Sequence, residues 1–373
     1  MKIAVNTRLL LKDKIDGIGR FAFETLKPIV NKHSHVEFVF LFDRPFHPDF
    51  VFAKNVTPLV IPPPTRHPLL YKIWFDYRLP YIFRKIKPDL FLSPDGFLSL
   101  RSSVKSLPVI HDLNFIHFPD KLSVYSKLYN SNFPKYAQRA ARIATVSKFS
   151  KQDIIKQYHI NPGKIDVVYN GASEFYMPVS ESVKSGTKLL YSNGCDYFLF
   201  VGSLYERKNI RNLLLAFEQF KSECNTPIKL MIAGRKVWWS NEVENLYENL
   251  KCRSDIIFTG RVTDDALKNI MASAYALTYT SLFEGFGIPI LEAMQCDVPV
   301  ITSNTSSMPE VAGDAALYVN PYEVSSISNA MKKIVYDENT RNHLIEKGRL
   351  QRQNFSYSKS ADLLWNCIEK ALQ

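Results

Sequence analysis

The chain has 373 residues, of which 46% are hydrophobic and 22% charged, the balance of a folded protein long enough for two domains and not of a disordered segment. Five scattered cysteines form no CxxC pair, which argues against a metal knuckle and for reduced thiols in a cytoplasmic compartment, and no run of about 20 apolar residues offers a membrane span. The formal charge of +11 is lopsided: residues 1–170 hold 26 Lys and Arg against 13 Asp and Glu, the remainder 21 against 23, so an anionic partner is expected for the first half alone.

In chain order, residues 2–6 read as a buried strand at the very start, with no signal peptide expected ahead of it. Asp16-Gly17-Ile18-Gly19-Arg20 then forms a glycine turn leading into an amphipathic helix through Pro28. Strands are expected at 36–42, 56–61, 89–93, 109–111 and 143–146, with a helical, aromatic and basic stretch over 69–86. Residues 164–171 make one more strand and turn, and 173–196 lose periodicity, which places a domain boundary there. A second series of strands follows at 197–201, 229–233, 256–258, 276–280, 298–302 and 316–319, and helices over 324–352 and 358–372 close the chain. Strands alternating with helices predict α/β domains with parallel sheets: an N-terminal domain over 1–172, joined by a returning C-terminal helix over 356–373, and a second domain over 173–355. Two Rossmann-like domains facing across a cleft are the architecture expected, with ligands at the carboxyl ends of strands.

The most informative segment is Glu284-Gly-Phe-Gly-Ile-Pro-Ile-Leu-Glu292. Gly285 and Gly287 let the backbone approach a ligand, the amides of Phe286, Gly287 and Ile288 face an anion, and Pro289 suits the first helical position. Glu292 is then expected in the first helical turn, so that two carboxylates flank a phosphate site. The helix dipole alone would favour a glutamate there, which leaves local chemistry undecided. Gly202-Ser203 ends a strand and is followed by Arg207 and Lys208, cations suited to a diphosphate, although a solvated basic loop reads equally well. His111 closes another strand. No GxGxxG, P-loop, Asp-x-Asp or metal-type histidine pairing is present, so no metal or other cofactor is expected and cations must offset any leaving-group charge.

With these segments in order, the chain resembles the retaining nucleotide-sugar glycosyltransferases of family 4, which have the two-domain GT-B fold. The resemblance rests on the Glu-x7-Glu motif at Glu284 and Glu292, with support from Asp16 to Arg20, Val109-Ile110-His111-Asp112, Thr145-Val146-Ser147-Lys148, Val168-Tyr169-Asn170-Gly171, Phe258-Thr259-Gly260-Arg261-Val262 and Ser307 to Ala316. It implies that Glu292 binds the ribose hydroxyls and Glu284 those of the donor sugar, while the amides of Phe286, Gly287 and Ile288 meet sugar and phosphate. Arg207 and Lys208 would neutralise the departing diphosphate, the Arg261-Val262 region would meet the base, and His111 would touch the transferred sugar. Gly17 and Gly19 would let the N-terminal loop approach the phosphates and acceptor. Many members carry Arg where this chain has Ser203, which puts the division of labour between Arg207 and Lys208 in question.

The expected activity is metal-independent transfer of a hexose, with mannose from GDP-mannose as the best guess, to a glycan or lipid-linked acceptor in cell-surface polysaccharide synthesis. Alternatives are a UDP- or dTDP-sugar transferase, a phosphorylase or sucrose-type synthase, and a non-catalytic binder of polyanions or nucleic acid on a relic fold; nucleic acid is not the expected partner. The aromatic and basic stretch 67–87, with a second over 121–142, suits peripheral attachment to an anionic membrane surface on the cytoplasmic face.

Overall fold

The structure, a computed structural model, describes residues 1–12, 15, 17–119, 124–236 and 239–373. Asp16 of the glycine-turn motif and residues 121–123 of the second basic stretch lie outside the described residues. The chain divides into two compact units, Met1–Gly171 with Tyr357–Gln373, and Ala172–Ser356.

The first unit holds a seven-stranded sheet built from β1 (Lys2–Asn6), β2 (Glu37–Phe42), β3 (Val56–Val60), β4 (Leu90–Ser93), β5 (Ser106–Ile110), β6 (Ile143–Thr145) and β7 (Ile165–Val167). Their order is β3-β2-β1-β4-β5-β6-β7, and every pairing is parallel. The second unit holds β8 (Tyr197–Val201), β9 (Lys229–Ala233), β10 (Ile256–Gly260), β11 (Ala276–Tyr279), β12 (Val300–Ser303) and β13 (Ala316–Val319). These run β10-β9-β8-β11-β12-β13, again all parallel. Strands such as Tyr-Phe-Leu-Phe-Val at β8 are buried along their whole length, as a sheet covered by helices on both faces requires. Each sheet reverses direction of winding once, between β1 and β4 and between β8 and β11. Doubly wound sheets bind ligands at the carboxyl ends of the strands beside such a reversal.

Several boundaries differ from the expectations. The helix thought to end at Pro28 continues to Lys32, because Ile29 and Val30 extend its buried stripe past the proline, and Gly17 and Gly19 lie inside its first turn and not in a turn before it. The aperiodic stretch after 173 contains a helix, Glu181–Ser192, that buries only Thr187 and Ser192. Its N-terminus is held by the Ser180 hydroxyl accepting from the Val183 amide, a capping signal independent of any apolar stripe. The stretch 69–86 is helical, but as Pro68–Ile73 and Leu79–Ile86 joined by a π-turn at Trp74–Arg78. The helical stretch expected over 324–352 consists of two helices, Val324–Tyr336 and Glu338–Gln351, divided at Asp337, whose carboxylate accepts from the Thr340 amide and starts the second.

The last helix, Tyr357–Leu372, belongs to the first unit. It buries Leu364, Trp365 and Ile368, stacks Trp365 on His33 at 3.5 Å between ring centres, and pairs Lys32 with Asp362 and Asp166 with Lys370.

Candidate functional site

The winding reversal of the second sheet gathers the charges. β8 ends at Val201 and runs through Gly202 into a single 3-10 turn, Glu206–Lys208, which delivers Arg207 and Lys208. β11 ends at Tyr279, and the following residues carry the chain to Glu284. The two loops are stitched together: the Leu282 amide donates to the Arg207 carbonyl at 2.7 Å, and the Asn209 side chain donates to the Thr280 carbonyl at 3.1 Å.

Glu284 sits at the centre of this junction, 6% exposed. One carboxylate oxygen accepts from Arg207 Nη1 at 2.7 Å and the other from Lys208 Nζ at 2.5 Å. Burial alone would push this carboxyl upward, but the charges of Lys208 and Arg207 outweigh it and hold its pKa at about 2. Lys208, itself buried, also donates to the Tyr279 hydroxyl at 2.6 Å. Burial and then the adjacent Glu284 charge raise the Tyr279 phenol well above its ordinary value, so it stays neutral. Arg207 Nη1 further donates to the Phe283 carbonyl at 3.1 Å. The result is a fixed cluster of two cations, one carboxylate and a phenol.

The glycine turn beyond Glu284 is held from the loop after β12. The Glu284 amide donates to the Ser306 hydroxyl at 3.1 Å, and the Ser307 hydroxyl lies 2.9 Å from the carbonyls of both Glu284 and Phe286. The Phe286 ring is buried edge-on against Phe355. Gly287 has φ of 101°, a conformation costly for any side chain, and caps the helix Ile288–Gln295. Two expectations are corrected by this cap. Because Gly287 is the residue outside the helix, Ile288 takes the first helical position and Pro289 the second, and Glu292 falls in the second turn, where it is buried. Its placement therefore gains little from the helix dipole, which acts within the first turn, and the bland explanation for this glutamate weakens.

The structure brings Arg207, Lys208, Glu284 and the Phe286–Ile288 turn together, with Gly202 3.6 Å, at a built Cβ, from the Lys208 Cε. Ser203 carries the backbone between Gly202 and the 3-10 turn, its carbonyl accepting from the Tyr205 amide. Arg261 and Val262 stand after β10, at the sheet edge two strands from β8. His111 and the glycines Gly17 and Gly19 belong to the first unit. His111 follows β5, with Nε2 2.8 Å from the Pro94 carbonyl, which makes that nitrogen the protonated one in the neutral ring. Among the described residues no group of three or more His, Cys, Asp or Glu side chains is gathered as a metal site.

Sequence reasoning missed Tyr279, Ser306 and Gly234. A Cβ on Gly234 would lie 2.0 Å from the Gly202 carbonyl oxygen, so only glycine lets the β8 and β9 loops touch. The signal was present, since Gly202 follows β8, Gly234 follows β9 and Gly260 ends β10. Tyr279 reads in sequence as one more strand aromatic, and nothing local distinguishes it.

Comparison with known proteins extends this picture. The family model described as Glycosyltransferase Family 4 matches residues 15–173, and the model described as Glycosyl transferases group 1 matches residues 188–351. The chain is 28% identical to O-antigen chain mannosyltransferase B of Escherichia coli, over 96% of each chain. It is 31% identical to O-antigen chain mannosyltransferase RfbU of Salmonella typhimurium over 60% of this chain and 59% of that one. Among solved structures, Anabaena Alr3699/HepE in complex with UDP and glucose shares the fold with a TM-score of 0.76, at 16% identity and over 99% of both chains.

Proposed function

Since the chain belongs to the group 1 glycosyl transferases, with a family 4 domain ahead of the group 1 domain, we propose that it transfers mannose, with retention, from GDP-mannose to a glycan or lipid-linked acceptor of a cell-surface polysaccharide. The observation that carries the donor reading is the Arg207–Lys208–Glu284 cluster at the winding reversal of the second sheet. In this reading the bond from the sugar anomeric carbon to the diphosphate breaks and the acceptor oxygen bonds to the same face. The acceptor's proton passes to the leaving phosphate. The negative charge that grows on the phosphate meets the positive charges of Arg207 and Lys208, so the protein supplies the neutralisation with its own cations.

Glu284 cannot serve as a general acid, because its carboxyl stays ionised down to about pH 2. Its role is to fix both cations in place and to accept from sugar hydroxyls with its remaining lone pairs. Glu292 accepts from ribose hydroxyls, the Phe286–Ile288 amides meet sugar and phosphate, and Arg261-Val262 meets the base. In the first unit, the same reading gives His111 contact with the transferred sugar and Gly17 and Gly19 contact with phosphate or acceptor. The names of the mannosyltransferase relatives favour mannose, while the UDP and glucose of the Anabaena protein favour a UDP-sugar reading. A thermal-shift series with GDP-mannose, UDP-glucose and dTDP-glucose, followed by NMR of the product anomer in EDTA, tests this. Stabilisation by GDP-mannose alone and an α-linked product are expected; stabilisation by UDP-glucose alone, an inverted product, or dependence on metal overturns the corresponding part.

Attachment to an anionic membrane surface belongs to the same reading. No described helix is long and apolar enough to cross a membrane. Leu69, Tyr125 and Leu128 are exposed at about 60% on the neighbouring helices Pro68–Ile73 and Val124–Asn130, which also carry exposed Lys72 and Lys127, with exposed Arg66 just ahead of the first. Apolar groups rimmed by cations match the interface of an anionic bilayer. Sedimentation with phosphatidylglycerol vesicles at low salt is expected for the protein and is lost in Leu69→Ser/Leu128→Ser; equal sedimentation of both would remove this part.

A further inference from the structure

At the amino-terminal end of the second sheet, opposite the candidate site, lies a cavity of about 490 Å³. It opens where the chain enters β8, β11 and β12, at Asp196, Tyr275 and Val298, and its side walls are the helices Glu181–Ser192 and Glu338–Gln351. Strand length separates the two ends by roughly 13–16 Å. The volume is within the range of small-molecule sites.

Its charges do not balance. Lys184 and Lys188, one helical turn apart, come from one wall, and Arg341 and Arg349, two turns apart, from the other. Three of these cations have carboxylate partners in the lining: Lys184 with Glu181 at 2.6 Å, Lys188 with Asp196 at 2.6 Å, and Arg349 with Asp297 at 2.8 Å. Asp297 is shared with Arg352 as well. Arg341 makes no ion pair among the described residues. Its guanidinium lies 4.7 Å over the Tyr275 ring, and its Nε is buried with no hydrogen-bond partner among the described residues. A buried N–H without an acceptor costs free energy, and a guanidinium clamped on an aromatic face is a fork already oriented for a tetrahedral oxyanion.

We infer that this cavity is a second binding site, specific for a phosphorylated small molecule, with Arg341 as its anchor and Lys184, Lys188 and Arg349 around it. The site lies apart from the donor chemistry, which uses the other end of the same sheet. Occupancy supplies the anion that Arg341 lacks.

Calorimetric titration of the full chain with inorganic pyrophosphate tests this, with Lys208→Gln removing a principal cation of the candidate donor site. Wild type is expected to bind two pyrophosphates and Lys208→Gln one. Arg341→Gln is expected to retain one, which shows that it is folded, and the double variant to bind at least tenfold more weakly than Lys208→Gln. Lys54→Gln, which removes equal charge from an exposed position of the first unit, leaves both sites intact. Competition by acetate at equal ionic strength is expected to be absent. The inference is overturned if wild type binds one pyrophosphate, if Arg341→Gln binds as its parent does, if Lys54→Gln weakens binding equally, or if acetate competes as well as pyrophosphate.

Discussion

Replacing Glu284 by Gln keeps the shape of the cluster and removes the carboxylate charge that pairs with both Arg207 and buried Lys208. The cost can be worked from the carboxyl itself. Its pKa is about 2 in the fold against an ordinary 4.5, so ionisation contributes about 3 kcal/mol to stability at neutral pH. The sign follows from the depression: the contribution is complete above the unfolded-state value and drains away as pH falls toward 2. At pH 3 about 1 kcal/mol is left, because the folded carboxyl is still mostly ionised while the unfolded one is protonated. For a unit of this size 1 kcal/mol corresponds to about 2–4 °C in Tm, so Glu284→Gln is expected to lower the transition of the second unit by about 6–12 °C at pH 7 and by less than half of that at pH 3. Differential scanning calorimetry of the full chain at the two pH values reads both shifts. An unshifted variant at pH 7, or an equal shift at both pH values, would refute the claim that the ion pairs hold this junction together.

Lys208→Gln is expected to lower kcat by on the order of 100-fold, since the cation meets charge that develops only as the phosphate leaves, and steady-state transfer assays check it. Tyr279→Phe deletes one hydrogen bond to Lys208 and should lower kcat/KM by about fivefold, equivalent to about 1 kcal/mol, with the circular dichroism spectrum unchanged. Gly234→Ala must push the β8 and β9 loops apart, and a loss of about 3 kcal/mol in denaturant unfolding is expected. Gly17→Ala, where a Cβ meets nothing within 4 Å among the described residues, is expected to leave unfolding unaffected and to report on transfer alone.

The fold was largely legible because parallel strands covered on both faces are continuous apolar runs, and β1, β8, β9 and β13 fall at the residues expected of them. The helix Glu181–Ser192 was not, since it buries almost nothing and leaves Leu189 and Leu190 exposed, so its stripe carries no period. At the site, Glu284, Arg207 and Lys208 could be picked out singly, and the resemblance they pointed to is met by family models over residues 15–173 and 188–351. Their direct pairing could not. The partners lie 76 and 77 positions apart, and only the adjacency of β8 and β11 across the winding reversal brings them into contact. Tyr279 was hidden for the same reason, as its hydroxyl acquires meaning from Lys208 and not from its own neighbours. The first helical turn was misplaced by one structural fact that sequence cannot weigh, the left-handed backbone at Gly287.

The helix Tyr357–Leu372 gives the two units different timetables during synthesis. Every residue of the second unit has been made by Ser356, whereas the seven-stranded unit, whose strands are made first, still lacks the helix that covers the face built around Gly17–Lys32. The unit that begins first is thus the one completed last. A chain cut before Tyr357 keeps every residue of the second unit and leaves the first with its apolar side bare, the kind of species that chaperones recognise and that aggregates when they do not.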